Sequence, residues 1–184
     1  MKQYRRRLPH IHPDGADFFI TWRLFGTLPS GSRGEAFADS DHRLDLAADG
    51  PLFMKDPEVA ASVSRVLLAG DSDWHWYELL AWVVMANHVH VLLRPRTDLT
   101  KLVMNVKSAS ARRCNALLGR VGQPFWQEEA YDHWVRNDRE RNSIIDYIEF
   151  NPVKAGLVAE PADWPWSSAG WKTPGGAWRR PTGQ

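Results

Sequence analysis

The sequence has one cysteine, no long apolar run and almost no net charge, and each of these limits what the protein can be. Cys114 is the only cysteine among 184 residues, which excludes an internal disulfide and a multi-cysteine metal site. No stretch approaches the roughly 20 apolar residues that span a bilayer, and the basic start lacks the apolar segment of a secretory signal. The 23 Lys and Arg residues nearly balance the 22 Asp and Glu residues, so any nucleic-acid surface must come from local clustering. These features predict a cytoplasmic protein without a membrane segment.

The hydrophobic pattern predicts a chain in which strands and helices interleave. Two-residue alternation predicts strands in ADFFITWRLFGTLP and GQPFWQEEAYDHWVR, and a hairpin of two strands in WHWYELLAWVVMANHVHVLLRP. Helical stripes between capping residues predict helices at residues 56–70, 98–118 and 138–150. This order is typical of an α+β, ferredoxin-like fold, an antiparallel sheet with helices packed on one face.

The whole chain, residues 1–184, is expected to form a single domain. Within it, residues 1–14 are a basic leader and residues 159–184 an irregular tail rich in Trp, Pro and Gly. Residues 30–52 show weak periodicity and predict a loop or a poorly formed helix. Cys114 lies among the apolar and small residues of the second helix, so we expect it to pack in the core.

Two histidines stand one residue apart in MANHVHVLL, where the surrounding residues predict a buried strand. Residues two apart on a strand point to the same side, so His88 and His90 should project together while Val89 and Val91 face the core. Neighbouring imidazoles can bind one divalent metal ion. Two histidines supply only half of such a site, however, and an ordinary structural role is the alternative.

Tyr147 and Asn151 lie four residues apart in IIDYIEFNPVKAG, on one face of the last predicted helix. A tyrosine flanked by isoleucines is ordinarily a core aromatic, and that role is the alternative here. A phenol is a weak nucleophile at neutral pH, but a metal ion that polarises a phosphodiester would offset this. His88, His90, the Asn151 amide oxygen and the phosphate oxygens would together suit Mg²⁺ or Mn²⁺.

Three ordered motifs, WVVMANHVHVLLRP, PFWQEEAYDHWVR and DYIEFNPVKAGLV, resemble the single-tyrosine HUH transposases. More narrowly, the chain is similar to the REP-associated tyrosine transposases, which are linked to repeated extragenic palindromes in bacteria. The resemblance covers residues 1 to about 170. It implies a ferredoxin-like domain that cuts and rejoins single-stranded DNA next to a hairpin through a covalent 5′-phosphotyrosine intermediate.

The resemblance also implies roles for particular residues. Tyr147 would be the nucleophile, and His88 and His90 would be the ligands of Mg²⁺ or Mn²⁺. Relatives outside the REP-associated branch carry glutamine where this chain has Asn151, and the shorter amide of the branch is the expected third ligand. A histidine that matches His133 occurs in close relatives, without a role that the sequence assigns. Rejoining would need no nucleotide cofactor, because the phosphotyrosine bond conserves the energy of the cleaved phosphodiester.

The expected partner is a single-stranded DNA hairpin, a REP-like palindrome with a flanking tetranucleotide. Tyr4, Arg5 and Arg6 match a family segment that contacts the tetranucleotide, and Arg7 extends it. A solvated basic terminus is the alternative for these residues. The branch tends to act as monomers, so we expect a monomer, with a dimer as the other possibility.

The second predicted helix adds three cations, Lys107, Arg112 and Arg113, that either follow the DNA phosphates or form an ordinary solvated face. Tyr131 is a competing nucleophile, but it lies on a predicted strand without an amide partner four residues later.

Two other functions compete with cleavage. A domesticated protein could bind the hairpin without cutting it, although such a binder has no use for the trio of His88, His90 and Tyr147. An unrelated metalloenzyme of the H-x-H barrel type would need more strands and further ligands, and the three predicted helices oppose it.

Overall fold

The computed structural model describes residues 15–27, 44 and 50–171 of the chain. Its strands and helices are, in chain order, β1 (Phe18–Arg23), α1 (Pro57–Ser72), β2 (Tyr77–Val84), β3 (His88–Pro95), α2 (Leu99–Leu117), β4 (Tyr131–Trp134) and α3 (Asp138–Lys154). Short 3₁₀ turns cover Phe53–Lys55, Pro161–Asp163 and Ser168–Trp171. Across the described ranges, every helix is too short or too polar to traverse a lipid bilayer.

The four strands form one antiparallel sheet in the order β2-β3-β1-β4. Strands β2 and β3 form the predicted hairpin, with its turn at residues 85–87. β1 and β2 run parallel to each other with β3 between them, and β3 and β4 are separated by β1 in the same way. Helices α1 and α2 each connect one of these parallel pairs. The predicted ferredoxin-like α+β class is confirmed.

Helices α1 and α2 pack on one face of the sheet, over a core of large apolar side chains. Alternate residues of the two central strands point into this core: Phe18, Ile20, Trp22, Val89, Val91 and Leu93. Each helix begins where predicted, because the carboxylates of Asp56 and Asp98 accept a hydrogen bond from a backbone N–H of the first turn. Cys114 is buried in the same core, as predicted, and burial raises the pKa of its thiol to about 11.

Helix α3 packs on the opposite face of the sheet, whereas the sequence pattern places all three helices on one face. Its core is smaller and consists of Phe19, Ala81, Val83, Met85, Leu92, Val135 and Ile148. Crossover helices that connect parallel strands share one hand, so α1 and α2 lie on the same side. α3 follows the last strand and is free of that constraint, so it covers the face that remains. This brings α3 over the side of β3 that carries His88 and His90.

Strand β4 is shorter than the segment of residues 122–136 that was expected to form it. Gly122 has a φ of 85°, which turns the chain, and Pro124 lacks the N–H that a paired strand would donate. The segment that follows meets β1 only through an isolated bridge between Leu24 and Trp126 and through neighbouring backbone hydrogen bonds. Regular pairing therefore begins only at Tyr131.

The described part of the C-terminal tail lies along the outer edge of β2. The Val84 N–H donates to the Trp166 backbone oxygen (2.8 Å), and the Trp82 N–H donates to Ser168 Oγ (3.2 Å). The tail thereby satisfies donors on an edge that would otherwise be open to another strand.

Candidate functional site

Two buried histidines lie on the face of the sheet that α3 covers. His88 pairs in register with Arg23 of β1, and His90 pairs with Thr21. Both histidines are 0% exposed, and their Nε2 atoms lie 3.0 Å apart. The two imidazoles therefore project from one side of β3, as the alternation predicts, and their Nε2 atoms face each other.

Asn87 determines which nitrogen of the His88 ring carries the proton. Asn87 Nδ2 donates to the backbone oxygen of Leu44 (3.1 Å), so its Oδ1 is the atom that faces His88 Nδ1, at 2.7 Å. An amide oxygen can only accept a hydrogen bond, so His88 Nδ1 is the donor. In the neutral ring, Nε2 is then left with a lone pair that points toward His90.

His90 is held by two side chains of β1. Thr21 Oγ1 lies 2.7 Å from His90 Nδ1, and the Phe19 ring stacks on the imidazole at a centroid distance of 5.7 Å. Burial, and then the neighbouring His88, lower the pKa of His90 well below its ordinary value, so the ring is neutral near pH 7. A threonine hydroxyl can donate or accept, so Thr21 is compatible with either tautomer of His90.

Helix α3 continues through Pro152 to Lys154, so the end predicted at residue 150 is wrong. Proline has a helical φ and removes only one donor, and the Ala155 N–H still donates to the Asn151 backbone oxygen at 3.0 Å. Tyr147 and Asn151 consequently share one face of a continuous helix.

Tyr147 lies beside the histidine pair. Its ring centroid is 5.6 Å from that of His90 and 5.9 Å from that of Phe19. Lys154 Nζ lies 4.7 Å from the centroid of the Tyr147 ring, which is a cation–π contact. Asn151 is 0% exposed, and its Nδ2 lies 3.5 Å from His90 Nε2. The structure thus brings together the four residues that the sequence proposes as nucleophile and metal ligands.

The polar atoms at this point suit a divalent metal ion. Asn151 Oδ1 is buried and has no hydrogen-bond partner among the described residues. Rotating the amide by 180° would turn this oxygen toward the two histidine Nε2 atoms. In residues 15–27, 44 and 50–171, no group of three or more His, Cys, Asp or Glu is arranged to hold a metal ion. Protein ligands here would therefore be the nitrogens of His88 and His90 and the Asn151 oxygen, a set compatible with Mn²⁺ or Mg²⁺.

The β1 residues beside the histidines belong to none of the three sequence motifs. Thr21 and Phe19 reach His90 only because β1 pairs with β3 in the observed register. Arg23, half-buried on the same face, is the cross-strand neighbour of His88 for the same reason. The alternation in β1 predicts that these three residues share one face, but it does not reveal which strand lies beside them.

Strand β4 contributes Tyr131 and His133 to the same face, because they pair with Thr21 and Phe19 of β1. His133 Nε2 lies 2.9 Å from a carboxylate oxygen of Glu140, a residue in the first turn of α3. His133 therefore links the sheet edge to the helix that carries the candidate nucleophile.

The three predicted DNA-binding cations of α2 do not lie beside Tyr147. Lys107 is on α2, and its Nζ donates to two backbone oxygens of the segment before β4, at 2.6 and 2.8 Å. Arg112 and Arg113 are exposed on the same helix. Because α2 covers the face of the sheet away from the histidines, phosphates bound there would be remote from the nucleophile. The predicted leader contacts lie outside the described residues: Tyr4, Arg5, Arg6 and Arg7.

Comparison with known proteins matches these features to one family. A family model described as "Transposase IS200 like" matches residues 58–151, slightly more than half of the chain, and this region contains both histidines, Tyr147 and Asn151. A REP-associated tyrosine transposase of Escherichia coli (strain K12) is 30% identical over 95 residues, which are 50% of this chain and 54% of the relative. A second relative, from Haemophilus influenzae, is 28% identical over 104 residues, 50% of this chain and 58% of its own length. The match thus spans little more than half the length of these curated relatives.

A solved structure shares this fold. It is described as the "Structure of the REP associates tyrosine transposase bound to a REP hairpin". Its TM-score is 0.58 at 22% identity, and the match covers 100% of this chain and 93% of the other. The resemblance read from the sequence is confirmed by the family match together with this shared fold.

Proposed function

The chain belongs to the IS200-like transposase family, and on that premise we propose that it cleaves and rejoins single-stranded DNA next to a hairpin. The observation that carries this proposal is the position of Tyr147, whose ring centroid lies 5.6 Å from that of a fully buried histidine paired with a second one. A partly exposed phenol beside a candidate metal site supports a role for Tyr147 as the nucleophile of phosphoryl transfer.

In the proposed reaction the Tyr147 oxygen attacks the phosphorus of one phosphodiester. The bond between that phosphorus and the 3′ oxygen of the preceding nucleotide breaks, and the phenol proton leaves to solvent or to a basic group. The departing 3′ oxygen takes up a proton from solvent or from the group that accepted the phenol proton. The products are a 5′-phosphotyrosine and a free 3′ hydroxyl. Rejoining reverses these bond changes with a 3′ hydroxyl as the attacking group, so no oxidant, reductant or nucleotide is consumed.

His88, His90 and Asn151 are the residues that would hold the metal ion. A bound Mg²⁺ or Mn²⁺ would polarise the phosphate and offset the weak nucleophilicity of the phenol. The chain itself contributes three things: Asn87 and Thr21 orient the two imidazoles, the pKa of His90 is lowered so that its ring stays neutral, and Lys154 brings a positive charge to the Tyr147 ring. Arg23 is a further cation on this face that we propose as a phosphate contact.

We propose a DNA hairpin as the partner, because the solved neighbour is described as bound to a REP hairpin. Two relatives, of which that of Escherichia coli is described as a REP-associated tyrosine transposase, also align with half of this chain. Tyr4 to Arg7 would contact the nucleotides flanking the hairpin. Lys107, Arg112 and Arg113 would follow phosphates of the duplex stem, at a distance from the cleaved bond. Deleting residues 4–7 should weaken hairpin binding without changing the melting temperature, and unchanged affinity would refute that role.

The test is formation of a covalent protein–DNA adduct. The full chain is incubated with hairpin oligonucleotides that carry single-stranded flanks, with Mn²⁺ or Mg²⁺, and is run on a denaturing gel. We expect an adduct from the wild-type chain and none from Tyr147→Phe. Tyr131→Phe is the matched control, because it removes a hydroxyl from the same face of the sheet, and it should retain the adduct.

Two results would contradict the proposal. An adduct that survives in Tyr147→Phe would assign the nucleophile elsewhere. Hairpin binding without any adduct, under both metals, would identify a protein that recognises the hairpin but does not cut it. Sedimentation of the same samples would test the expected monomer.

A further inference from the structure

Tyr131 places an exposed aromatic ring on the same face of the sheet as the proposed nucleophile. It lies on β4, the strand at the sheet edge, and pairs in register with Thr21, the residue that contacts His90. Paired residues of neighbouring strands point to the same side, so the Tyr131 ring lies on the side of the histidines. The residue is 40% exposed, so it is open to solvent on the face that carries the site.

Phe19 connects the Tyr131 ring to the site. The Phe19 centroid is 6.3 Å from that of Tyr131, 5.9 Å from that of Tyr147 and 5.7 Å from that of His90. Phe19 itself is only 5% exposed. The two tyrosines therefore flank one buried ring, with Tyr131 on the sheet edge and Tyr147 on the helix.

The hydroxyl of Tyr131 is poorly suited to be a second nucleophile. Partial burial, and then the negative charges of Asp132 and Glu140, raise the pKa of Tyr131 above its ordinary value. The phenolate that would attack is thus less accessible than for an unperturbed tyrosine. What the side chain offers is its aromatic surface.

A second aromatic residue of β4 provides the contrast. Trp134 is 38% exposed, almost the same as Tyr131, but it pairs with Phe18 and therefore points to the other face of the sheet. Tyr131 and Trp134 thus lie on opposite faces of the sheet, and of these two only Tyr131 is on the same face as Tyr147.

We propose that the Tyr131 ring binds a base of the single-stranded DNA by stacking, at a nucleotide next to the cleaved phosphate. This inference rests on the proposed function and adds a nucleotide subsite to it. Single-stranded DNA is bound by aromatic side chains on which successive bases stack, next to cations that follow the backbone. The cations of this face are Arg23 beside His88 and Lys154 over the Tyr147 ring. Because both tyrosine rings lie beside Phe19, we expect a DNA strand whose phosphate reaches Tyr147 to bring a neighbouring base to Tyr131.

The experiment measures DNA binding in a chain that cannot cleave. Tyr131→Leu and Tyr131→Phe are each combined with Tyr147→Phe, and affinity is measured for a hairpin oligonucleotide with single-stranded flanks. Leucine still covers Phe19 but offers no flat π surface, whereas phenylalanine retains the ring and loses the hydroxyl. We expect affinity to fall about tenfold for leucine and to stay within twofold for phenylalanine, since one stacked base contributes on this order.

Trp134→Leu, in the same background, is the matched control and should leave affinity within twofold. The position of the base is read by placing 5-iodouracil at each nucleotide of the single-stranded flank and mapping the photo-cross-links. We expect a cross-link to Tyr131 from one or two nucleotides adjacent to the cleaved bond. Melting temperatures of all variants report whether the fold is retained.

Several outcomes would overturn the stacking proposal. They are unchanged affinity in the leucine variant, an equal loss in the phenylalanine variant, or a change of sedimenting mass, which would identify Tyr131 as a contact between copies of the chain. Failure to bind any of the oligonucleotides at low salt would count against the stacking proposal and the proposed function together. The Tyr131→Leu variant could lose affinity while the chain with wild-type Tyr147 forms no adduct. That result would support stacking and refute cleavage, so the two proposals can fail separately.

Discussion

The two faces of the sheet are built from the same strands but differ in chemistry. Under α1 and α2, the inward residues of β1 and β3 are large and apolar throughout. Under α3, the same two strands present Thr21, Arg23, His88 and His90. Burying polar groups is costly unless they are fully paired. The core of the first face leaves the indole N–H groups of Trp22 and Trp82 without partners among the described residues, whereas the second face buries two adjacent imidazoles and an amide. One face of the sheet is thus built for stability, and the other carries the candidate site.

The packed helices differ in the same way. α1 and α2 cover the larger core, and several of their buried polar groups bond within their own helix, as Ser64 and Ser110 do with backbone oxygens one turn earlier. α3 buries Asn151, and α2 buries Asn115; the side-chain oxygen of each has no partner among the described residues. The Asn115 Nδ2 donates to the Gln123 backbone oxygen at 2.7 Å, whereas the Asn151 Nδ2 lies 3.5 Å from His90 Nε2. An unsatisfied buried oxygen is destabilising. Of these two amides only that of Asn151 lies beside the histidine pair, which makes it the candidate metal ligand.

Substitutions on opposite sides of β3 should show the largest difference between the two faces, one in the rate of adduct formation and the other in stability. His88→Ala removes one of the paired imidazoles, and we expect the rate of adduct formation to fall on the order of 100-fold. Val91→Ala leaves a cavity in the other face, and we expect the free energy of unfolding to fall by about 2 kcal/mol with the rate of adduct formation nearly unchanged. Denaturant unfolding and a timed gel assay measure the two quantities. A folded Val91→Ala chain that loses the adduct as fully as His88→Ala would remove the distinction between the faces.

Thr21→Val should change the α3 face alone, because it removes only the hydroxyl that supports one imidazole. The valine is close in shape but cannot bond His90 Nδ1, so we expect the affinity for Mn²⁺ to fall about tenfold. Calorimetric titration of the full chain with Mn²⁺ measures this without any DNA. Thr21→Ser keeps the hydroxyl and should bind Mn²⁺ within about twofold of the wild type; equal affinities in all three proteins would show that Thr21 serves packing alone.

Much of this division could be predicted from the sequence. The alternation in MANHVHVLL directs His88 and Val89 to opposite sides because side-chain direction in a strand depends only on local geometry. The helix starts at Asp56 and Asp98 are local for the same reason, since each depends on one carboxylate and one backbone N–H. The spacing of Tyr147 and Asn151 likewise predicts a shared helix face.

The remaining features depend on contacts between distant segments. Helix α3 covers the apolar surface that the two crossover helices leave open. The sequence pattern of residues 138–154 alone does not predict which face of the sheet that is. Thr21 becomes the neighbour of His90 only through strand pairing across 69 positions. The sequence favours Tyr147 over Tyr131 as the nucleophile because Tyr131 has no amide partner along the chain. The position of Tyr131 beside Phe19 follows only from the register of β4 on β1.

Lys154→Gln should have a smaller effect that belongs to the α3 face alone. It removes the positive charge over the Tyr147 ring, and we expect the rate of adduct formation to fall about threefold, since a cation–π contact at an exposed site contributes roughly 0.5–1 kcal/mol. Lys101→Gln is the control, because Lys101 is an exposed lysine on α2. An equal reduction in both variants would indicate general attraction of DNA rather than an effect at Tyr147.

The smallest effect should come from Glu140, which joins α3 to β4. A hydrogen bond from the Arg136 backbone N–H, and then His133, lower the pKa of this carboxyl below its ordinary value of about 4.5. A carboxyl with a lowered pKa stabilises the fold above about pH 4.5, and the contribution is lost as the pH falls through the folded-state pKa. Glu140→Gln should therefore lower the free energy of unfolding at pH 6.5 by about 0.3 kcal/mol, as is usual for a partly exposed pair, and by less at pH 3.5. Urea unfolding at both values measures this, and an equal difference at both would exclude the ionised carboxylate as its source.

The most direct test of the account is to locate the covalent bond between the protein and DNA. Trypsin should release residues 142–154 as one peptide that contains Tyr147 and no other tyrosine, whereas Tyr131 falls in the separate peptide of residues 121–136. After reaction with a hairpin oligonucleotide and nuclease digestion, mass spectrometry should find a 5′-phosphonucleotide on the peptide of residues 142–154. A nucleotide on the peptide of residues 121–136, or on no tyrosine at all, would contradict the claim that the α3 face holds the reacting group.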